Sequence, residues 1–204
     1  MTDSGIDPRI GEHDWQSYEY VEQWITRDVT RDEERRPVLR QMLSLARFPK
    51  NAEITVLDVG AGYGIVSEEA LKLFPNARVT LQDYSAAMFE HARRTLARFH
   101  ERARFVIADL TNPAWTAAVG GPFDLIASGL AIHNLRTEAS IRASYDSIGS
   151  LLKPEGSFLD YDLFGIVTGG VETQRRWLHE CGFKQVQFTY QKGPIAVLRA
   201  SLSL

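Results

Sequence analysis

Apolar residues recur first at spacings of three and four along this chain, then in short continuous runs separated by helical stretches. From His13 to about Asp28, Trp15, Tyr18, Val21 and Ile25 keep the helical period, which predicts an amphipathic helix. A second is predicted over Asp32–Phe48, with Leu39, Met42, Leu43 and Ala46 on one face. Pro37 lies inside it, so the helix starts there or is kinked. After Pro49 the pattern changes. Ile54–Val59, Ala77–Leu81, Arg104–Ala108, Phe123–Ala127 and Ser157–Tyr161 read as strands. Between them, Ile65–Phe74, the series Met88, Ala92, Leu96, Phe99 and the series Ile141, Tyr145, Ile148, Leu152 read as helices.

Strands alternating with helices of this length imply βαβ units and a mainly parallel sheet. The end differs: a helix near Glu172–Cys181 stops at Gly182, and strands Phe183–Tyr190 and Ile195–Ala200 are joined only by Gln191-Lys192-Gly193-Pro194. So short a link makes them antiparallel neighbours. The expected fold is α/β, seven strands with an antiparallel C-terminal hairpin. Residues 1–50 supply a loose tail (Met1–Glu12) and covering helices; 51–204 form the core of one structural domain.

Composition changes little. The chain has 204 residues, 44% hydrophobic and 24% charged, with a formal net charge of −3, so it carries no global electrostatic footprint for nucleic acid. Cys181 is the only cysteine, which rules out an intrachain disulfide and a cysteine-based zinc site. The N-terminus lacks a basic start followed by an apolar run, and no apolar stretch approaches the ~18 residues of a membrane helix. The expectation is a cytoplasmic protein with no metal.

The chemistry concentrates in Val56-Leu57-Asp58-Val59-Gly60-Ala61-Gly62-Tyr63-Gly64, at the turn between the first strand and its helix, where ligands of open α/β sheets bind. Glycines there adopt positive φ and admit close backbone approach, and helix N-terminal amides can meet an anion. A dinucleotide turn wants G-x-G-x-x-G; here the third glycine comes one residue early. Asp58 precedes the glycines, where a carboxylate repels a pyrophosphate and suits an ammonium or sulfonium. Asp83, after the second strand, can accept both hydroxyls of a ribose or cap a helix, as can Ser85. Asp109 can accept from an exocyclic amine with Leu110 against a base, or act as a cap before Pro113.

Taken in order, Asp58-x-Gly60-x-Gly62-x-Gly64, Asp83-Tyr84-Ser85-Ala86-Ala87-Met88, Ala108-Asp109-Leu110, Phe123-Asp124-Leu125-Ile126-Ala127-Ser128 and Leu152-Lys153-Pro154-Glu155-Gly156 resemble the successive motifs of class I S-adenosylmethionine-dependent methyltransferases. The likeness spans roughly Ser17 to Ala200. It is greatest to small single-domain bacterial members, through Ser17-Tyr18-Glu19-Tyr20-Val21-Glu22-Gln23-Trp24 and Leu130-Ala131-Ile132-His133. It implies a Rossmann-like doubly wound sheet with helices on both faces, and S-adenosyl-L-methionine as cofactor. It implies a cofactor site of Asp58, Gly60, Ala61, Gly62, Asp83, Tyr84, Met88, Asp109, Leu110 and Ser128. Asp58 would organise the loop and the methionine end, Asp83 the ribose, Tyr84 and Met88 the adenosine, and Asp109 and Leu110 the adenine.

On the acceptor side, His133 is the leading general base, with a structural role before the helix at Thr137 as the alternative. Strand alternation puts Asp160 and Asp162 on one side. Trp15, Tyr18, Tyr20 and Trp24 can fold an aromatic face over a cation or simply dock the helix. The Asn-Pro-Pro-Tyr/Phe motif of nucleobase amino-methylating enzymes is absent after the fourth strand. The long helical insertion that similar enzymes carry after the fifth strand is reduced to about ten residues, including Gly165, Gly169 and Gly170. The pocket is therefore open, covered by a second subunit of a homodimer, or closed by the N-terminal helices. The expected partner is a small-molecule methyl acceptor methylated on O, N or C, not a membrane or nucleic acid. An RNA or protein acceptor, a non-catalytic cofactor-binding domain, and an NAD-dependent oxidoreductase are the competing readings.

Overall fold

The computed structural model describes residues 13–164 and 169–203. Seven strands form one sheet in the order β3-β2-β1-β4-β5-β7-β6. They are β1 (Thr55–Val59), β2 (Arg78–Asp83), β3 (Ala103–Ile107), β4 (Phe123–Gly129), β5 (Leu152–Leu163), β6 (Gln185–Lys192) and β7 (Ile195–Ser201). The pairs β1–β2, β2–β3, β1–β4 and β4–β5 are parallel. β7 runs antiparallel to both β5 and β6 and lies between them. The chain leaves β3 at one edge and re-enters beside β1 as β4. This reversal opens a crevice above the carboxyl ends of β1 and β4.

The helices are α1 (Tyr18–Asp28), α2 (Asp32–Ser44), α3 (Ile65–Leu73), α4 (Ala86–Thr95), α5 (Trp115–Val119), α6 (Glu138–Leu151) and α7 (Gly170–Glu180). Strand alternation splits the core in two. Val56, Val79, Leu125 and Leu159 face α1–α4, while Leu57, Ile126, Phe158 and Leu198 face α5–α7. Asp58 therefore points to the α3 side, and Asp160 and Asp162 share the opposite face with Phe158.

The departures from the sequence reading are local. α2 begins five residues before Pro37 instead of starting there, with the proline inside the helix. Early in a helix a proline removes one backbone bond only, and Asp32, Glu33 and Glu34 in the first turn favour the helix dipole. β5 reaches back to Leu152, yet its pairing with β4 jumps from Phe123–Leu152 to Leu125–Ser157, so Pro154-Glu155-Gly156 bulges from the ladder. α5 went unpredicted because five residues are too few to show a period; its Trp115 is buried. Gly165 and the tail Met1–Glu12 lie outside the described residues. Among the described residues no helix is long and apolar enough to cross a membrane.

Candidate active site

The turn after β1 is held from below. Gly60, Gly62 and Gly64 have φ of 64°, 52° and 84°, a region that L side chains resist, and a Cβ on Gly60 would overlap that of Ala131. Backbone geometry alone thus demands glycine at these positions. The amides of three successive residues are already bonded. Gly60 N donates to Gln82 Oε1 (3.0 Å), Ala61 N to Gln82 O (2.9 Å) and Gly62 N to Asp83 Oδ2 (2.8 Å). Gln82 Nε2 in turn donates to Ala108 O (2.6 Å). Those three amides are therefore already engaged within the protein, which disfavours a pyrophosphate against them.

Asp58 is buried in β1, its Oδ2 accepting from Ser67 N (3.0 Å) and Ser67 Oγ (2.6 Å) in the first turn of α3. Its Oδ1 is buried without a hydrogen-bond partner. Burial, opposed by the Ser67 bonds and reinforced by the charge of Asp83, pushes its pKa up to about 7. Asp83 ends β2, with Oδ1 accepting from Ser85 N (2.8 Å). Burial raises its pKa as well, against amide hydrogen bonds from Ser85, Gly62 and Tyr84 that lower it. Ser85, not Asp83, caps α4, accepting from Met88 N (3.0 Å).

Above this floor lies a cavity of about 600 Å³. Gly60, Ala61, Gly62, Asp83, Tyr84, Met88, Asp109 and Leu110 all line it. Asp109 Oδ1 also accepts from Thr111 N and Thr111 Oγ1, each at 2.8 Å, a local turn and not the helix cap of its alternative reading, since α5 begins only at Trp115. Asp58 and Ser128 do not reach the cavity wall. Ser128 is buried with its hydroxyl donating to Val59 O (3.0 Å), so both sit beneath the floor.

The N-terminal segment makes the roof. Trp15 and Trp24 stack edge-on at 5.0 Å, Trp24 lies 6.3 Å from Tyr63 of the glycine turn, and Ser85 Oγ donates to Trp15 O. Arg35 of α2, unflagged in the sequence because an arginine in a charged helix looks like a solvated face, is buried. It forks onto Asp28 of α1 at 2.6 and 2.8 Å and donates to Tyr63 Oη at 3.0 Å. Burial works against its charge, but the Asp28 bond and charge prevail and its pKa is raised. Arg35→Ala leaves Asp28 buried and unpaired, which costs about 3 kcal/mol or more for such a pair. Urea unfolding is expected to show a loss of that size, and a change under about 1 kcal/mol would mean the pair is effectively solvated.

His133 stands in the turn Ile132–Leu135 after β4. It is 6% exposed, with Nδ1 2.5 Å from Asp162 Oδ1 and its backbone N–H donating to Asp162 Oδ2 at 3.0 Å. Asp162 Oδ1 also accepts from Leu163 N (2.8 Å). His133 lines not the large cavity but a chamber of about 130 Å³ beside it. His13, Trp15, Trp24, Leu130 and Asn134 line both. Asp160, two residues earlier on the same face, has both oxygens buried without partners. Burial and the charge of Asp162 push its pKa well above the usual carboxylate range. Of the two acids that alternation puts together, one holds His133 and the other is buried without a hydrogen-bond partner. Of the other histidines, His13 lines both spaces, while His91 pairs with Glu22 of α1 (3.0 Å), and His100 and His179 bond backbone carbonyls.

Residues 56–156 match the family model described as a methyltransferase domain. The chain is 46% identical over 77 residues to a release factor glutamine methyltransferase of Chlorobaculum tepidum, covering 36% of this chain and 26% of that protein. It is 28% identical over 137 residues to a malonyl-[acyl-carrier protein] O-methyltransferase of Magnetococcus marinus, covering 67% of this chain and 46% of that protein. The chain thus spans less than half the length of these relatives. Among solved structures, human N-acetylserotonin methyltransferase in complex with SAM superposes with a TM-score of 0.69 at 16% identity, covering 93% of this chain and 58% of that one.

Proposed function

We propose that this chain is a class I S-adenosylmethionine-dependent methyltransferase, an enzyme that methylates O, N or C of a small-molecule acceptor with His133 as general base. The observation that carries the reading is the adjacency of two spaces that share lining residues: the adenosyl-sized cavity over the glycine turn, and the side chamber in which Asp162 holds His133.

The residues fit the cofactor. Asp83 spends one lone pair of each oxygen on a backbone amide and keeps capacity for two ribose hydroxyls. Tyr84 and Met88 would border the adenosine, and Asp109 and Leu110 the base. The loop amides are occupied, so no phosphate is required, and the unpartnered Oδ1 of Asp58 lies beneath the loop as a reserve of negative charge for a cationic group. S-adenosylmethionine, when bound, supplies a methyl group on a positively charged sulfur. The chain's part is to align and to dry. Trp15 and Trp24 exclude water from the junction of the two spaces, and alignment of the partners can account for much of the rate. With Nδ1–H donating to Asp162, the basic nitrogen of His133 is Nε2, which takes the acceptor's proton as the methyl bond forms.

The Asp58 pKa of about 7 gives a pH signature. A cation bound above it favours the carboxylate and lowers that pKa, so binding releases a proton below pH 7. Affinity is expected to rise as pH climbs to about 7 and to level off beyond. Calorimetry in buffers of different ionisation enthalpy reads the released proton directly. A flat profile from pH 5.5 to 8 would remove Asp58 from the electrostatics of binding.

Titration with S-adenosylmethionine, S-adenosylhomocysteine and NAD tests the donor. Binding of NAD alone overturns the reading. Formation of S-adenosylhomocysteine across a panel of phenols, acids and amines tests the acceptor. Cofactor binding with no turnover on any of them, and turnover on RNA or protein instead, would replace the small-molecule assignment.

A further inference from the structure

The side chamber carries more information about the acceptor than the large cavity does. Besides His133 and the aromatic residues, it is lined by Arg27, in the last turn of α1, and Arg31, in the turn that follows. The one carboxylate among its lining residues, Asp28, is engaged by both nitrogens of the Arg35 fork. Arg27 uses Nε to donate to Gln23 O (3.3 Å), and among the described residues neither arginine forms an ion pair. The whole chain is net negative, at −3, so this concentration of positive charge is not a reflection of composition. Two exposed guanidinium groups four residues apart in sequence and an Asp-held imidazole line the same chamber.

We propose that the methyl acceptor is a small carboxylic acid. Its carboxylate is held by Arg27 and Arg31, and its methylated O–H or N–H lies at His133. The planar fork of arginine matches a carboxylate through two parallel hydrogen bonds and gives direction as well as charge. Trp15 and Trp24, edge-on to each other, and Tyr20, 5.6 Å from Trp15, offer flat apolar walls suited to an aromatic or conjugated body. The chamber volume of about 130 Å³ restricts the acceptor to a compact molecule. A nucleic acid would need a continuous basic track, and the chamber lining supplies two arginines. This inference rests on the methyltransferase reading and assigns the acceptor end of the same site.

The test uses the protein saturated with S-adenosylhomocysteine, titrated with 4-hydroxybenzoate and 3-hydroxybenzoate and with their amides, following quenching of tryptophan fluorescence. Each acid is expected to bind at least about tenfold more tightly than its amide, a margin typical of a charge-assisted pair. The preference should shrink as salt screens the exposed arginines. The double variant Arg27→Gln/Arg31→Gln is expected to bring acid and amide within about twofold of each other while S-adenosylhomocysteine affinity is unchanged. Equal binding of acid and amide, no binding of either acid, or a preference that survives in the double variant overturns the proposal alone. Failure of the wild-type protein to bind S-adenosylhomocysteine overturns the methyltransferase reading first, and the acceptor assignment with it.

Discussion

Asp83→Asn is expected to weaken S-adenosylhomocysteine binding by about a hundredfold or more. A hydrogen bond to a charged partner contributes roughly 1.5–3 kcal/mol; one ribose hydroxyl would meet an NH2 in place of an oxygen, and the other a neutral amide oxygen in place of a carboxylate. The substitution also strikes the site from within. Asp83 accepts from Gly62 N through one oxygen and from Ser85 N through the other. An amide group must turn its NH2 toward one of these donors, leaving a backbone N–H unsatisfied. Either the glycine turn or the entry to α4 then shifts. Calorimetry on Asp83→Asn measures the loss, and thermal unfolding without ligand checks that the fold survives. An affinity within fivefold of wild type would remove Asp83 from the ribose.

The second large effect is on turnover. His133→Ala is expected to lower kcat by about 10²–10⁴, the usual contribution of a positioned general base, with cofactor affinity retained. Asp162→Asn should approach the same loss by another route. If the amide oxygen keeps the His133 backbone N–H, its NH2 faces both Nδ1 and the Leu163 N–H. Nδ1 must then accept, which moves the ring proton to Nε2 and removes the base. In the other orientation the NH2 meets the His133 backbone N–H, and the turn itself loses its anchor. The pH profile separates this from a purely structural role: where turnover remains, loss of the neighbouring carboxylate should move the acidic limb to lower pH. Unaltered kcat in both variants would make His133 and Asp162 a packing pair beneath the chamber.

What could be read from the sequence follows the range over which each feature is encoded. The succession of strands and helices, the terminal hairpin and the place of the glycine turn come from local periodicity and from the Gln191–Pro194 link, and the structure carries them. Residues whose meaning depends on a distant partner were not legible. Arg35 sits among Asp32, Glu33, Glu34 and Arg36 and looks solvated until Asp28 and Tyr63 close over it. Gln82 attracts no attention beside Asp83, yet its side chain joins the turns after β1 and β3. Asp160 and Asp162 look equivalent in sequence; only the fold gives Asp162 an imidazole and leaves Asp160 unpartnered. Asp58 and Ser128 belong to the motif yet lie under the floor, because a strand's alternation hides every second side chain even at the ligand end.

The bonding of Gly60, Ala61 and Gly62 to Gln82 and Asp83 is made wholly within the protein and uses no ligand atom. A turn held in this way is expected to be rigid in the free protein, so that occupancy needs little of the ordering entropy that a loose loop would surrender. Those three amides are expected to resist hydrogen exchange without cofactor nearly as well as with it; rapid exchange in the free state would show the turn to be set by the ligand. Gln82 then shapes affinity from behind the wall, through the disorder it prevents and not through an atom it offers.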